Sequence, residues 1–365
     1  MSKVAVLRAE EYNLDLLKGK ISEIFQLLGG VEKFIPPDAR VLVKPNLLSA
    51  RKPEDAVVTH PAFVQAVIEV IKLRTENIAI GDSPGGYADY NKVLEESGIL
   101  EVARNTGAEI IRFDRTKVVS GIPIAEEVLS SDVVISLPKF KTHCLTVVTA
   151  GVKNCYGCIP GLHKSRLHKE YPKAEELAEI IVDAYRIVKP AVTIVDGIQA
   201  MEGEGPSSGD VREVGVIVGG EDALAVDAVL SYIMGVDPLT VPTNKAGQDK
   251  NLGEVRLSQI QVVGESLESV KREDFKLPNT SLLERIPRPM IKILGKFVKF
   301  YPQVKKEECK GCGLCVKSCP VGAITLDSVA KIDHKKCILC LCCHEICPYR
   351  AIEIKRSYLA KKLGI

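Results

Sequence analysis

The chain has 365 residues, twelve of them cysteine and none tryptophan, with 46% hydrophobic and 26% charged. That length exceeds what one domain usually holds and predicts two. A net charge of +2 gives no electrostatic case for a nucleic-acid partner, no apolar run of 18 residues is present to span a membrane, and the first residues lack the layout of a secretory signal.

Residues 1–280 alternate short apolar runs with helical patterns. Strands are predicted at Val4–Leu7, Val41–Val43, Ile78–Ile80, Glu109–Arg112, Val133–Ser136, Val192–Val195, Val214–Val218 and Gln261–Val263. Helices are predicted at Leu14–Leu28, Pro61–Arg74, Lys92–Thr106, Ala174–Val188, Asp222–Met234 and Thr243–Asn251. The strands are β-branched and continuously apolar, which fits burial on both faces. The alternation predicts an α/β domain with a mainly parallel sheet.

Ligands of such sheets gather at the carboxyl ends of the strands, and the polar residues cluster there. Lys44-Pro45-Asn46 follows the second strand and Gly81-Asp82-Ser83 the third. Leu137-Pro-Lys139-Phe-Lys141-Thr-His143 follows the fifth, and Asp196-Gly197 the sixth, with Glu202 and Glu204 beyond. Between them runs Gly151-Val-Lys153-Asn154-Cys155-Tyr-Gly-Cys158, then Lys164 and His168. Lys44, Lys139, Lys141, Lys153 and Lys164 are suited to an anion, and Asp82 and Asp196 to a cation or a proton. Asn46 and Asn154 add polar contacts. His143, His168 and Lys141 are the candidate catalytic groups, since imidazole titrates near neutral pH. Gly81–Gly86 lacks the Lys-Ser/Thr of a Walker loop, and no G-x-G-x-x-G follows the first strand. Cys144, Cys155 and Cys158 with nearby histidines form a candidate third metal site or dithiol, against the plainer reading of buried thiols.

Residues 281–302 mix prolines with an apolar-basic stretch. This segment is read as a linker helix clamping the two domains, in preference to a helix lying on a membrane surface.

The C-terminal domain, expected at 303–357, carries nine cysteines within 39 residues. Cys309-x2-Cys312-x2-Cys315-x3-Cys319-Pro and Cys337-x2-Cys340-x2-Cys343-x3-Cys347-Pro each match the run that holds a [4Fe-4S] cluster, in which the fourth cysteine serves the other cluster. Cys309, Cys312, Cys315 and Cys347 are therefore assigned to cluster one. Cys337, Cys340, Cys343 and Cys319 are assigned to cluster two. Cys342 fits neither and is read as a packed free thiol. The module is a small α+β ferredoxin-like domain, and the thiols suit a reducing cytoplasm. Between 303 and 356 it carries ten Lys and Arg against six Asp and Glu, a surface for an acidic redox partner such as a ferredoxin.

The strips Val41-Leu-Val-Lys-Pro-Asn46, Leu137-Pro-Lys-Phe-Lys-Thr-His143, Thr149-Ala-Gly-Val-Lys-Asn154, Asp196-Gly197 with Gly205-Pro206, and Ala225-Val-Asp227-Ala resemble a prokaryotic family catalogued as domain of unknown function 362. The resemblance spans roughly residues 1–265, and members often carry a C-terminal ferredoxin module. It implies the architecture and the candidate strips but no substrate. Cys144 and Cys155 fall at positions outside its pattern.

Together these features predict an iron–sulfur oxidoreductase relaying electrons to an anionic small molecule in the N-terminal domain. The rivals are a non-catalytic electron-carrier subunit and a metallocofactor assembly factor.

Overall fold

The computed structural model describes residues 1–280 and 300–357. In chain order the strands of the large domain are β1 (Ser2–Arg8), β2 (Val41–Pro45), β3 (Ile78–Asp82), β4 (Glu109–Arg112), the hairpin β5 (Thr116–Val119) and β6 (Ile122–Ala125), β7 (Val133–Leu137), β8 (Lys139–His143), β9 (Val147–Thr149), β10 (Val192–Glu202), β11 (Asp210–Gly220) and β12 (Ile260–Gly264). One sheet runs in the order β12-β1-β11-β10-β7-β2-β3-β4, with β8 branching from β10 and carrying β9. Strands β10, β7, β2, β3 and β4 are mutually parallel, while β11 runs against both of its neighbours.

β2, β3 and β7 are buried at every position. Their alternating side chains feed two apolar layers. Leu42 packs with Leu177, Ile181, Leu224 and Val229 on one face of the sheet. Val41 and Val43 pack with Leu17, Ile24, Phe63 and Ile68 on the other. Helices therefore cover both faces, as a buried parallel sheet requires.

The helix Leu14–Leu28 starts where the Asn13 side chain accepts from Leu16 N and stops at Gly29, whose φ is 112°. The helix expected over 92–106 is two helices, Tyr90–Glu96 and Ile99–Thr106. The break is Gly98, at φ 76°, a backbone conformation glycine adopts without steric cost. The strip 139–143, expected as a loop, is strand β8. It bonds to β10 at Asp196 and Met201 and to β9 from Lys141 to His143.

In the small domain β13 (Phe300–Val304) pairs with β16 (Ile352–Arg356), and β14 (Ile324–Leu326) with β15 (Ala330–Ile332). Two five-residue helices, Leu314–Ser318 and Cys342–Ile346, lie within the cysteine runs and end just before Cys319 and Cys347. The linker helix expected over 281–302 lies outside the described residues up to 299, and residues 300–302 begin β13.

The small domain docks on the large one through buried polar contacts. Arg51 donates to Cys347 O at 3.0 Å, and Ser207 Oγ donates to His344 O at 3.2 Å. His344 bridges Ile352 O of its own domain, at 2.7 Å from Nδ1, and Glu204 O of the other, at 3.0 Å from Nε2. Gly86 is packed so closely that a Cβ there would stand 2.5 Å from Ser318 Oγ.

Candidate functional site

A cleft of about 770 Å³ opens beyond the carboxyl ends of β2 and β3, where an open α/β sheet places its ligands. Its floor comes from the large domain: Asn46, Asp82, Lys141, Lys153, Lys164 and His168, with the Tyr156 ring. One wall comes from the small domain: Ser318, Cys342, Glu345 and Ile346.

The floor is held by a buried ion pair. Lys44 Nζ meets Asp82 Oδ1 at 2.7 Å, and the two side chains are only 1% and 3% exposed. Lys44 also donates to Asn154 Oδ1 at 3.0 Å, and Asp82 Oδ2 accepts from Leu47 N at 2.7 Å. Asn154 returns two bonds, to Lys44 O and Ser136 Oγ. Lys44, Asp82 and Asn154 are thus largely committed to one another. Gly157 lies against this pair, where a Cβ would stand 2.3 Å from Asp82 Oδ1.

The strip Gly151–Asn154 forms a single helical turn whose N-terminus is held by Asp227. Its two oxygens accept from Gly151 N at 2.6 Å and Val152 N at 3.0 Å. Two strips distant in sequence thereby fix where Lys153 and Asn154 stand. Burial outweighs those two bonds and pushes the Asp227 carboxyl from 3.8 up to about 7. The folded state then holds this proton more tightly than the unfolded chain. Stability from this group is expected to decline as pH rises from about 4 to about 7 and to level off above that. Urea unfolding across that range should show the slope, and Asp227→Asn should lack it, so the difference between the two proteins isolates the contribution of this group.

The remaining cations differ in their partners. Lys164 Nζ donates to Ser83 O, to Ser83 Oγ at 3.1 Å and to Pro84 O at 2.8 Å, and burial lowers it to about 8. Lys141 Nζ donates to Asn46 Oδ1 at 2.6 Å and Val57 O at 2.7 Å. Burial, then Lys153 and Lys139, push Lys141 well below its ordinary value. Lys153 stands over the Tyr156 ring at 5.9 Å. His168 packs edge-on against the same ring, its buried Nδ1 without a hydrogen-bond partner among the described residues.

His143 sits behind the wall. Its Nδ1 accepts from Leu145 N at 3.0 Å and Thr146 N at 3.2 Å, which leaves the neutral ring's proton on Nε2, 3.2 Å from Glu345 Oε1. Burial, with Lys153, lowers His143 to about 4. Burial opposes ionisation of Glu345, but His143, Lys153 and His168 outweigh it and hold the carboxyl well below the usual range. His143 therefore positions a residue of the small domain rather than lining the cleft.

Two residues expected at the site lie elsewhere. Lys139 Nζ is 2.8 Å from Asp196 Oδ2, and both side chains are fully buried. Tyr12 OH donates to Asp196 Oδ1 at 2.8 Å, and His60 N donates to Oδ2 at 3.0 Å. Lys139 and Asp196 are a structural pair between β8 and β10. The suggested third metal site is not assembled either. The Cys144 thiol lies 3.3 Å from Glu204 and 3.7 Å from His344, whereas Cys155 and Cys158 are sealed in the core near Lys44. Burial raises all three thiols, Cys158 to about 12. Among the described residues, no three His, Cys, Asp or Glu side chains gather tightly enough for a single metal ion.

The cluster cysteines fall into two cradles. Cys309, Cys312, Cys315 and Cys347 line one cavity, and Cys319, Cys337, Cys340 and Cys343 line another. A four-iron cluster takes one thiolate per iron, so its ligands surround a volume instead of one point. The two crossing cysteines are treated alike: Ala323 N donates to Cys319 Sγ at 3.2 Å and Ala351 N to Cys347 Sγ at 3.3 Å. This donor set fits two clusters. Cys342 lines both the second cradle and the cleft. Cys342, Glu345 and Ile346 were not legible as cleft residues from sequence, because no local pattern says which face of the small domain docks.

A family model for a 4Fe-4S dicluster domain matches residues 308–356. Over 62 residues the chain is 45% identical to a subunit of the ion-translocating oxidoreductase complex of Methanosarcina acetivorans, covering 17% of this chain and 22% of that one. Over 63 residues it is 37% identical to pyruvate synthase subunit PorD of Methanothermobacter marburgensis, covering 17% and 75%. The small domain is thus an iron–sulfur electron-transfer unit. A solved structure, the lactate racemase apoprotein of Thermoanaerobacterium thermosaccharolyticum, aligns with TM-score 0.40 at 12% identity over 61% of this chain and 55% of its own. No helix among the described residues is long and apolar enough to cross a membrane. A thylakoid-associated protein of Synechocystis sp. is 32% identical over 314 residues, covering 84% of this chain and 97% of its own length. With a second family model matching residues 41–232, more than half of its length, the chain belongs to the family described as domain of unknown function 362.

Proposed function

We propose that this protein is an iron–sulfur oxidoreductase in which the small domain delivers electrons to an anionic substrate or cofactor held in the interdomain cleft. The observation that carries this reading is the shared wall: Cys342 borders both the cradle of Cys319, Cys337, Cys340 and Cys343 and the basic cleft. The two cysteine sets would hold four-iron clusters, which supply one-electron transfer when bound. Lys141, Lys153 and Lys164 attract the anion. Tyr156, Ile346 and Cys342 keep water from its reacting end. His168, on the cleft surface, is placed to hold or pass a proton, and His143 fixes Glu345 at the wall.

The thiol ligands need a reducing compartment, which the cytoplasm provides. The name of the Synechocystis relative adds a membrane surface as a place of work for such a protein. The two relatives of the small domain named above are subunits of redox complexes, which favours a second reading as an electron-carrier subunit. The assembly-factor reading needed Cys144, Cys155 and Cys158 together, and Cys144 stands with Glu204 and His344, away from the other two.

The two surviving readings separate in a reoxidation experiment. Anaerobic protein is reduced, freed of reductant and mixed with a panel of oxo-acids and phosphorylated carbonyl compounds while cluster absorbance is followed. At least one compound is expected to reoxidise the protein with saturation. Lys153→Ala should weaken its half-saturation by tenfold or more, about 1.4 kcal/mol, at unchanged iron content. Reoxidation by none of the panel, or an unchanged half-saturation in the variant, would leave the carrier reading.

A further inference from the structure

The charges around the cleft do not balance. Lys141, Lys153 and Lys164 all line it, and the carboxylates on the same surface are Asp82 and Glu345. Asp82 is already neutralised by Lys44 at 2.7 Å. Three lysines therefore face one remaining carboxylate, an excess of two positive charges once all three are protonated, with His168 counted as neutral.

Hydrogen-bonding capacity points to the same corner. Lys164 has spent its donors on three neutral oxygens. Lys141 has used two of three, on Asn46 and Val57. His168 is 4% exposed, and its Nδ1 has no hydrogen-bond partner among the described residues. An ammonium carries three donors, and Lys153 meets an aromatic ring but no hydrogen-bond acceptor among the described residues. The buried His168 nitrogen is costly in this state unless something completes it, and the half-buried Lys153 is open to a ligand.

The lining also carries an apolar and aromatic side, Leu48, Tyr156, Pro206 and Ile346, beside neutral polar groups such as Thr149 and Ser165. Gly85 and Gly86 do not offer a phosphate cradle. A Cβ at Gly85 would meet Leu48 at 3.3 Å, and one at Gly86 would meet Ser318 at 2.5 Å, so their close approach serves packing between the domains.

We propose that the cleft binds a small organic dianion, a dicarboxylate or a phosphate monoester, with its charges on Lys141 and Lys153, a third contact to His168, and its uncharged body over Tyr156, Leu48 and Ile346. This deepens the oxidoreductase reading and rests on it only for what the ligand does once bound. A monoanion would leave one buried cation uncompensated. Burial, then Lys153 and Lys139, hold Lys141 well below its ordinary value, while Glu345 and Asp82, which also face it, pull the other way. A dianion reverses the repulsion from its fellow lysines, so binding draws a proton from solvent.

The test is calorimetry on the cluster-loaded, anaerobic protein with phthalate, phenyl phosphate and benzoate, which share one aromatic body. Phthalate or phenyl phosphate is expected to bind at least tenfold tighter than benzoate, and whichever wins names the source of the charge. Binding should take up a proton, read as a heat that changes with the buffer's ionisation enthalpy. Lys153→Met and His168→Ala should each lose tenfold or more for the dianion, while Lys169→Met, exposed outside the cleft, should not. Equal binding of all three probes, no binding of any, or an unchanged Lys153→Met would overturn the proposal. Cluster reoxidation in the same samples separates the two ideas. Dianion binding without electron transfer sinks the relay and leaves the site, and electron transfer without dianion preference does the reverse.

Discussion

Serine at Cys319 is expected to abolish the same cluster as serine at Cys337, although Cys319 belongs by sequence to the other run. Cys347→Ser should in turn match Cys309→Ser. The expectation follows from the cradles: Cys319 lines a cavity with Cys337, Cys340 and Cys343, and Cys347 lines the other with Cys309, Cys312 and Cys315. Each single variant should retain about four of about eight irons. The paramagnetic spectra of the reduced variants should sort into two pairs, Cys319 with Cys337 and Cys347 with Cys309. Sorting by run, Cys319 with Cys309, would overturn the crossed assignment. The environments make the two signals distinguishable, because Cys312 is exposed at the first cradle while Cys340 and Cys343 are buried at the second. Solvent exposure and hydrogen bonds to sulfur are among the factors that set cluster potentials.

Asp196→Ala should be the most destabilising change outside the small domain. It removes the acceptor of three groups at once: Lys139 Nζ, Tyr12 OH and His60 N. Lys139 is then a fully buried ammonium facing the Tyr12 hydroxyl, its remaining hydrogen-bond partner, with no carboxylate to balance it. Breaking a buried pair by deleting one partner typically costs about 3–5 kcal/mol. Replacing both partners by apolar residues of similar volume, Lys139→Met with Asp196→Leu, should recover most of that loss, since the exchange removes the orphaned charge as well. Urea unfolding of the large domain, followed by circular dichroism, checks both. A loss below about 1 kcal/mol for Asp196→Ala would mean that water or a shifted side chain takes over the carboxylate's role.

The same pair shows where reading the sequence succeeds and where it stops. Lys44, Asn46 and Asp82 were legible as neighbours of the cleft because a parallel sheet collects polar groups at its carboxyl edge, and the strands before them are plain apolar runs. Lys139 and Lys141 read as equals in one strip, but that strip is itself a strand. Its first lysine is drawn to Asp196, and its second reaches Asn46 at the cleft. No periodicity of apolar residues announces such a strand. The break at Gly98 was hidden for a related reason: one glycine inside a helical pattern is tolerated as often as it interrupts. The wall of the cleft was illegible because it depends on how two domains meet, through contacts such as Arg51 to Cys347 and Gly86 to Ser318.

That wall sets a limit on exchange between proteins. Ser318 and Ile346 end the two helices inside the cysteine runs, one residue before Cys319 and Cys347, and they also face the cleft or the glycines beside it. A change at either position is judged twice, once by the fold of the small domain and once by the shape of the chamber. The two parts of the chain are therefore not free to drift apart over evolutionary time. A foreign ferredoxin grafted in place of residues 300–357 would restore the iron but bring the wrong wall.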